Sequence, residues 1–506
     1  MEQSIKKTNR PPYGVISILM IGAFISFLNN TLMNVALPSI MRDLNVGPST
    51  VQWLTTGFML VSGILIPTTA YLIQKYSVRH LFLVAIGMFT VGTILSGIAP
   101  TFSVLLAGRL LQAAGTAVLS PLLMNVMLVS FPIEKRGSVM GIFGLILMFA
   151  PAIGPTLSGW IVEHYNWRML FYFVAPIAIL VFLIGFFLLK DKKDKVEMKL
   201  DVVSLILSSL GFGGILYGFS SAGNAGWDSP IVYGTIIIGL ICLTTFILRQ
   251  FKSEEPLLNF NVYQYPMFVL SSVISMVVNM ALFSGMILLP IYVQDIRGIS
   301  PMDAGLLMLP GAILMAFMSP LTGRLFDKFG GRALAITGLT ITVVTTFAFS
   351  QLRLDTPYMY LLLIYSVRSI GMSMVFMPVS TNGLNQLPRS LYPHGTAMNN
   401  TLNQVAGAIG TALMVTIMTT YSASRAKELG ATVMQNLTAQ PSEAALAQIQ
   451  EQVMTQATLD GINFSFLFAT GISFVALVLA FFIKRATPME EKPAKVNVVK
   501  KVATGH

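Results

Sequence analysis

The ten residues AYLIQKYSVR at 70–79 return, altered, as GRLFDKFGGR at 323–332. Aligning Ala70 on Gly323 pairs Gln74 with Asp327, Lys75 with Lys328, Ser77 with Gly330 and Arg79 with Arg332. Offsets of 253 to 259 residues also relate Arg109 to Arg368, Gly115 to Gly371, Pro132 to Pro388, and PAIGP at 151–155 to GAIGT at 407–411. Each copy sits among apolar runs. The chain therefore reads as two copies of one helical unit.

The runs fix what kind of helix this is. Hydrophobic residues make up 54% of the 506, charged residues 10%, and mean hydropathy is +0.73. A soluble chain carries about 25% charge, so this one could not cover a water-facing surface. Fourteen apolar runs are long enough to cross about 30 Å of hydrocarbon, from 14–36 through 138–162 to 460–483. The expected fold is an all-α polytopic membrane protein. Residues 1–189 hold one six-helix half and 260–484 the other, and the helices at 202–220 and 231–249 are inserted between them within 190–259. A basic tail follows at 485–506. Two related six-helix halves with a substrate site between them near the midplane are the build of alternating-access transporters.

With both termini assigned to the cytoplasm, 24 of the 32 Lys and Arg residues fall in inside segments and six in outside ones. This is a positive-inside pattern. It accounts for the net charge of +11 by loops facing anionic lipid, with no nucleic acid as partner. The lone Cys242 lies in an apolar run and can form no internal disulfide. Four scattered His and one Cys do not supply the clustered set that a membrane enzyme needs. No G-x-x-x-x-G-K-[ST] loop is present, so the chain is not expected to hydrolyse ATP. The segment 421–459 is the one long outside connection. It is expected to hold an amphipathic helix capped by Ser442 and leading into the last span.

The loop Gly323-Arg-Leu-Phe-Asp327-Lys328-Phe-Gly330-Gly-Arg332 resembles the signature loop of the major facilitator superfamily. Arg109-Leu-Leu-Gln112-Ala-Ala-Gly115 resembles its helix-4 motif, and Ala150-Pro151-Ala-Ile-Gly154-Pro155 the helix-5 motif associated with antiporters. Residues 27–38, FLNNTLMNVALP, resemble the helix-1 motif of the 14-helix drug:proton antiporter branch, the EmrB/QacA-like transporters, and closely their lincomycin-resistance type. Asn29 stands where that motif usually has Asp, Gln74 where the first loop has an acid, and Ser158 where the helix-5 motif has Gly. The resemblance implies an exporter in the cell membrane that is driven by the proton gradient, needs no cofactor and acts as a monomer. Its substrates would be small amphipathic compounds, with a lipid or anionic-metabolite exporter of the same fold as the alternative.

None of the 21 acidic residues is expected at mid-membrane depth. A buried carboxylate is the usual counter-charge for a cationic drug, so neutral or zwitterionic substrates are expected. Ser26, Asn30 and Asn34 recur at i, i+4 and i+8 on the first span, and Asn400 and Asn403 share a face of the thirteenth. Amides both donate and accept. These five are the expected substrate-binding residues, and helix–helix packing is the competing role. Coupling and gating fall to Arg109 inside the fourth span, Gly154 and Pro155 as a packing and bending site, Asp327 as a cap or partner for Arg332, and Asp303 as the first proton-handling candidate. Glu163, Asp295 and His394 follow as further proton-handling candidates.

Overall fold

Helix starts are set by short polar caps at the ends of apolar runs. Ser77 accepts from the His80 N–H at 3.2 Å, Asp201 from the Ser204 N–H at 3.2 Å, and Ser300 from the Asp303 N–H at 3.1 Å. Gly330, at φ +80°, turns one helix directly into the next, a backbone conformation that L side chains rarely adopt. The computed structural model describes residues 13–46, 48–51, 53–190, 201–253, 256–435 and 443–485.

Among these residues the long helices are α1 (Tyr13–Leu44), α2 (Trp53–Lys75), α3 (Val78–Gly97), α4 (Phe102–Ser130), α5 (Arg136–His164), α6 (Met169–Leu188), α7 (Val202–Ala225) and α8 (Pro230–Lys252). They continue with α9 (Pro266–Ile291), α10 (Pro301–Phe329), α11 (Gly331–Phe349), α12 (Tyr358–Asn385), α13 (Tyr392–Gln435) and α14 (Glu443–Ala480). No strand occurs among the described residues. Among the described residues, thirteen helices are long and apolar enough to cross a membrane. The fifth expected span, 138–162, coincides with α5, a 29-residue helix outside that set of thirteen. A short 3-10 turn at Ile66–Thr68, carrying Pro67, interrupts α2.

The sequence repeat is visible as a packing repeat. A side chain on Gly115 of α4 would meet the Ala85 carbonyl of α3 at 2.3 Å. One on Gly371 of α12 would meet the Gly338 carbonyl of α11 at 2.8 Å. Both contacts are close helix crossings that only a missing Cβ allows. The inserted helices α7 and α8 pack on each other, and α7 lies against α2 and α13.

The segment 421–459 is helical at both described ends, and the helix expected to lead into the last span is continuous with it. Residues up to Gln435 continue α13 to 44 residues, and Glu443 onward is already part of the 38-residue α14. The described residues on either side thus extend the two spans as a helical hairpin. At 1.5 Å per residue α13 is about 66 Å long, roughly twice the hydrocarbon thickness. Arg425 clamps the hairpin by pairing with Asp460 at 3.1 Å, and Tyr421 stacks on Phe464 at 4.3 Å. Ser442 lies outside the described residues.

Candidate functional site

The two halves meet most extensively along α5 and α10. Gly137 and Gly323 bring the backbones together, since a Cβ on Gly137 would lie 2.6 Å from the Gly323 carbonyl. Ser319 then donates to the Gly141 carbonyl at 2.8 Å. Asp327 closes this seam. Its carboxylate accepts from the N–H groups of Gly137 and Ser138, each at 2.8 Å, and from the Ser138 hydroxyl at 2.5 Å. It thus caps the first turn of the other half's α5, and no ion pair joins it to Arg332 among the described residues. Two further bonds join the halves at this end of the helices. Arg136 donates to Asn385 at 3.1 Å, and Gln74 contacts His394 at 3.0 Å. The helix ends here carry Lys75, Arg79, Arg324, Lys328 and Arg332, so the sealed end is the basic end.

Further along, a cavity of about 220 Å³ opens between the halves. Asn30, Asn400 and Asn403 line it, as do Asn399 and Gln404. Ser26 is fully buried and donates to the Gly22 carbonyl at 3.0 Å, away from the lining. Asn34 and Pro155 have side chains outside the described residues. Sequence reasoning missed Ser275, Asn279 and Ser380, which also line the cavity. The signal was present in α9, because Ser271, Ser275 and Asn279 recur at i, i+4 and i+8, the spacing used on the first span. Asn279 donates to Asn403 at 3.0 Å, and Asn400 accepts from Ser120 of the opposite half at 3.2 Å. Phe27, Phe58, Phe143, Phe376, Met124 and Met377 supply the apolar lining. No charged side chain lines the cavity among the described residues.

Arg109 lies one layer behind. Its guanidinium donates to Asn30 at 3.3 Å, to Gln112 at 2.8 Å and to the Leu54 carbonyl at 3.5 Å, and sits 4.6 Å from the Phe58 ring centre. Asn30 and Phe58 thus stand between this fully buried cation and the cavity. Gln112 in turn donates to Thr93 at 2.8 Å. The repeat mate Arg368 uses the equivalent threonine directly, donating to Thr346 at 3.3 Å and also to the Ala281 carbonyl. An arginine inside a span costs at least about 2.5 kcal/mol on insertion scales. These carbonyl, amide and aromatic contacts offset that cost without a carboxylate.

The remaining sequence candidates lie elsewhere. Gly154 packs on α1 of its own half, where an added Cβ would meet the Thr31 hydroxyl at 2.1 Å. Asp303 is exposed at the start of α10, where it accepts from Ser300 at 2.8 Å. His394 accepts the Asn259 N–H at 3.1 Å and is buried at the sealed end.

Two groups of helices closed together at one end, with a cavity between them that no charged side chain lines among the described residues, are the build of a membrane transporter. Residues 19–411 match the Major Facilitator Superfamily model, and the chain belongs to that family. It is 47% identical to the MFS-type transporter YhcA of Bacillus subtilis, over 95% of this chain and 94% of the relative. It is 42% identical to the lincomycin resistance protein LmrB of the same organism, over 93% and 95%. The solved structure of the human organic anion transporter MFSD10 shares the fold at a TM-score of 0.63, with 13% identity over 93% of this chain and 100% of that one.

Proposed function

We infer that this transporter exports neutral or zwitterionic amphipathic compounds, antibiotics among them, in exchange for protons entering the cell. The observation that carries the reading is the cavity lining: aromatic rings, methionines, amides and hydroxyls, with no carboxylate to balance a cationic drug. Similarity to a lincomycin resistance protein supports an antibiotic among the substrates. The basic, sealed end faces the cytoplasm of a plasma-membrane protein on the positive-inside rule. Breaking the Asp327 cap and re-forming contacts at the other end would then expose the cavity to the cell interior.

Reconstitution with an imposed pH gradient tests this. Uptake of lincomycin and of a quaternary ammonium compound is compared in wild type and in Asp303→Asn. Gradient-driven movement of lincomycin in preference to the cation is the expected result. Movement of the cation alone would sink the argument from the missing carboxylate. Indifference of both to the gradient would favour the second reading, an exporter of lipids or anionic metabolites. The carboxylate-free Arg109, one layer from the cavity behind Asn30, supports that alternative.

A further inference from the structure

The cavity has two chemically different walls. On the N-terminal half, Phe27, Phe58, Phe143, Leu147 and Met124 dominate. Each of the four polar residues on that wall already makes one hydrogen bond. Asn30 accepts from Arg109, Ser62 donates to the Ala113 carbonyl at 3.5 Å, Thr116 to the Gln112 carbonyl at 2.9 Å, and Ser120 to Asn400 at 3.2 Å. The C-terminal wall is mostly amides and hydroxyls from α9, α12 and α13. Two of them, Ser275 on α9 and Ser380 on α12, are 5% and 6% exposed, and their hydroxyls have no hydrogen-bond partner.

A buried hydroxyl without a partner is costly, and native structures rarely leave one. Two such groups on one wall of a binding cavity constitute unused hydrogen-bonding capacity. Each can donate and accept. The facing wall offers no comparable free group, so a ligand that uses them has its orientation set.

We propose that Ser275 and Ser380 are specificity-determining residues that hold the hydroxyl-bearing edge of the substrate against the C-terminal half, its apolar side resting on the phenylalanines of the N-terminal half. This rests on the exporter reading and narrows it to amphipaths with a hydroxylated edge. A site built to hydrogen-bond a hydroxyl rejects an analogue lacking it far more strongly than an apolar pocket discriminates by size. Recognition is then one-sided: when the halves rock apart, the polar contacts travel with α9 and α12.

The test uses the full chain with three probes: lincomycin, its O-methylated derivative, and N-phenylnaphthylamine, which is neutral and hydroxyl-free. Equilibrium binding in detergent is measured alongside transport in proteoliposomes. Ser275→Ala and Ser380→Ala each weaken lincomycin binding by about five- to tenfold, the loss of one neutral hydrogen bond. They leave N-phenylnaphthylamine unchanged. The double variant no longer distinguishes lincomycin from its O-methylated form, and Ser275→Thr retains the preference. Melting temperatures stay level or rise, because each alanine removes an unmet hydroxyl. Equal losses for all probes, or none for lincomycin, overturn the proposal, as does a wild type that binds only the hydroxyl-free compound or neither. Binding with the expected pattern but without gradient-driven transport would instead overturn the exporter reading and leave the serine assignment standing.

Discussion

The Asp327 carboxylate, two residues from the end of α10, accepts the backbone N–H of Ser138 in the first turn of α5 at 2.8 Å, so one half of the molecule caps a helix of the other. The adjacent Gly137 N–H makes the second such bond. Anionic caps satisfy orphan donors and the positive end of the helix dipole together. On the alternating-access reading proposed above, this contact would break when the end opens and so would bias the equilibrium between the two access states.

Asp327→Asn retains the size and loses the charge. A lost cap costs about 0.5–2 kcal/mol, so the population open at the basic end rises by about two- to thirtyfold. Spin labels on an introduced cysteine pair across that end, in a Cys242→Ser background, report the shift as a longer-distance population. An unchanged distance distribution would show that the cap does not bias access.

Arg109 is held by Asn30, Gln112, the Leu54 carbonyl and the Phe58 face together. Lysine cannot reproduce a planar fork with several directed donors. Arg109→Lys is expected to reduce transport at least tenfold while the protein still reaches the membrane in normal amount. Asn30→Ala uncovers the cation toward the cavity, and binding of an anionic amphipath then strengthens relative to a neutral one. Unaltered selectivity in Asn30→Ala would mean that Arg109 is a brace alone.

The opposite end carries the pair Asp43–Arg168 at 2.5 Å, with Trp167 donating to the same carboxylate at 3.0 Å. The Arg168 guanidinium, then the Trp167 indole N–H, hold the Asp43 carboxyl below its usual range. A carboxyl with a lowered folded-state pKa stabilises above its unfolded value, about 3.9, and that contribution is lost as pH falls through the folded value. Asp43→Asn should therefore melt lower than wild type at pH 7, by the modest amount expected of a half-exposed pair, about 1 kcal/mol or less. The gap should persist down to about pH 5 and close below about pH 4. A gap that instead widened under acid would contradict the assignment.

How much of this could be read from residues depends on the range of the interaction. The all-helical membrane fold and the family motifs were legible because apolar runs and short motifs are local patterns. Asn30, Asn400 and Asn403 line the cavity, and helical spacing had put them on shared faces. Asp327 was legible as a cap, but its partner was not. A basic residue nearby in sequence, such as Arg332, was expected, whereas the donors are Gly137 and Ser138, on the far side of the half-to-half seam. The same limit applies to Ser275 and Ser380. Serine is common in spans, and only packing separates those bonded to their own helix from those left unpartnered. The continuation of α13 to Gln435 was not legible, because nothing in the 421–459 stretch marks where a helix leaves the membrane.

Two glycines five residues apart on α5 provide a test of packing on one helix. A Cβ on Gly154 would lie 2.1 Å from the Thr31 hydroxyl and 2.7 Å from its Cβ, while one on Gly159 meets nothing within 4 Å. Thr31 cannot simply swing away, because its hydroxyl donates to the Leu28 carbonyl at 2.8 Å and to Ala150 of α5 at 3.3 Å. One turn further along, Ser158 fixes the same seam by donating to the Leu32 carbonyl at 2.6 Å. Overpacking a close helix crossing typically costs about 1–3 kcal/mol, so Gly154→Ala should lower the melting temperature in detergent. Gly159→Ala should leave it level or raise it, since alanine favours the helix by up to about 1 kcal/mol over glycine. Equal effects at the two positions would show that the α1–α5 approach is looser than these distances indicate. A selective loss at Gly154 with transport falling in parallel would tie movement of the N-terminal half to an intact α1–α5 seam.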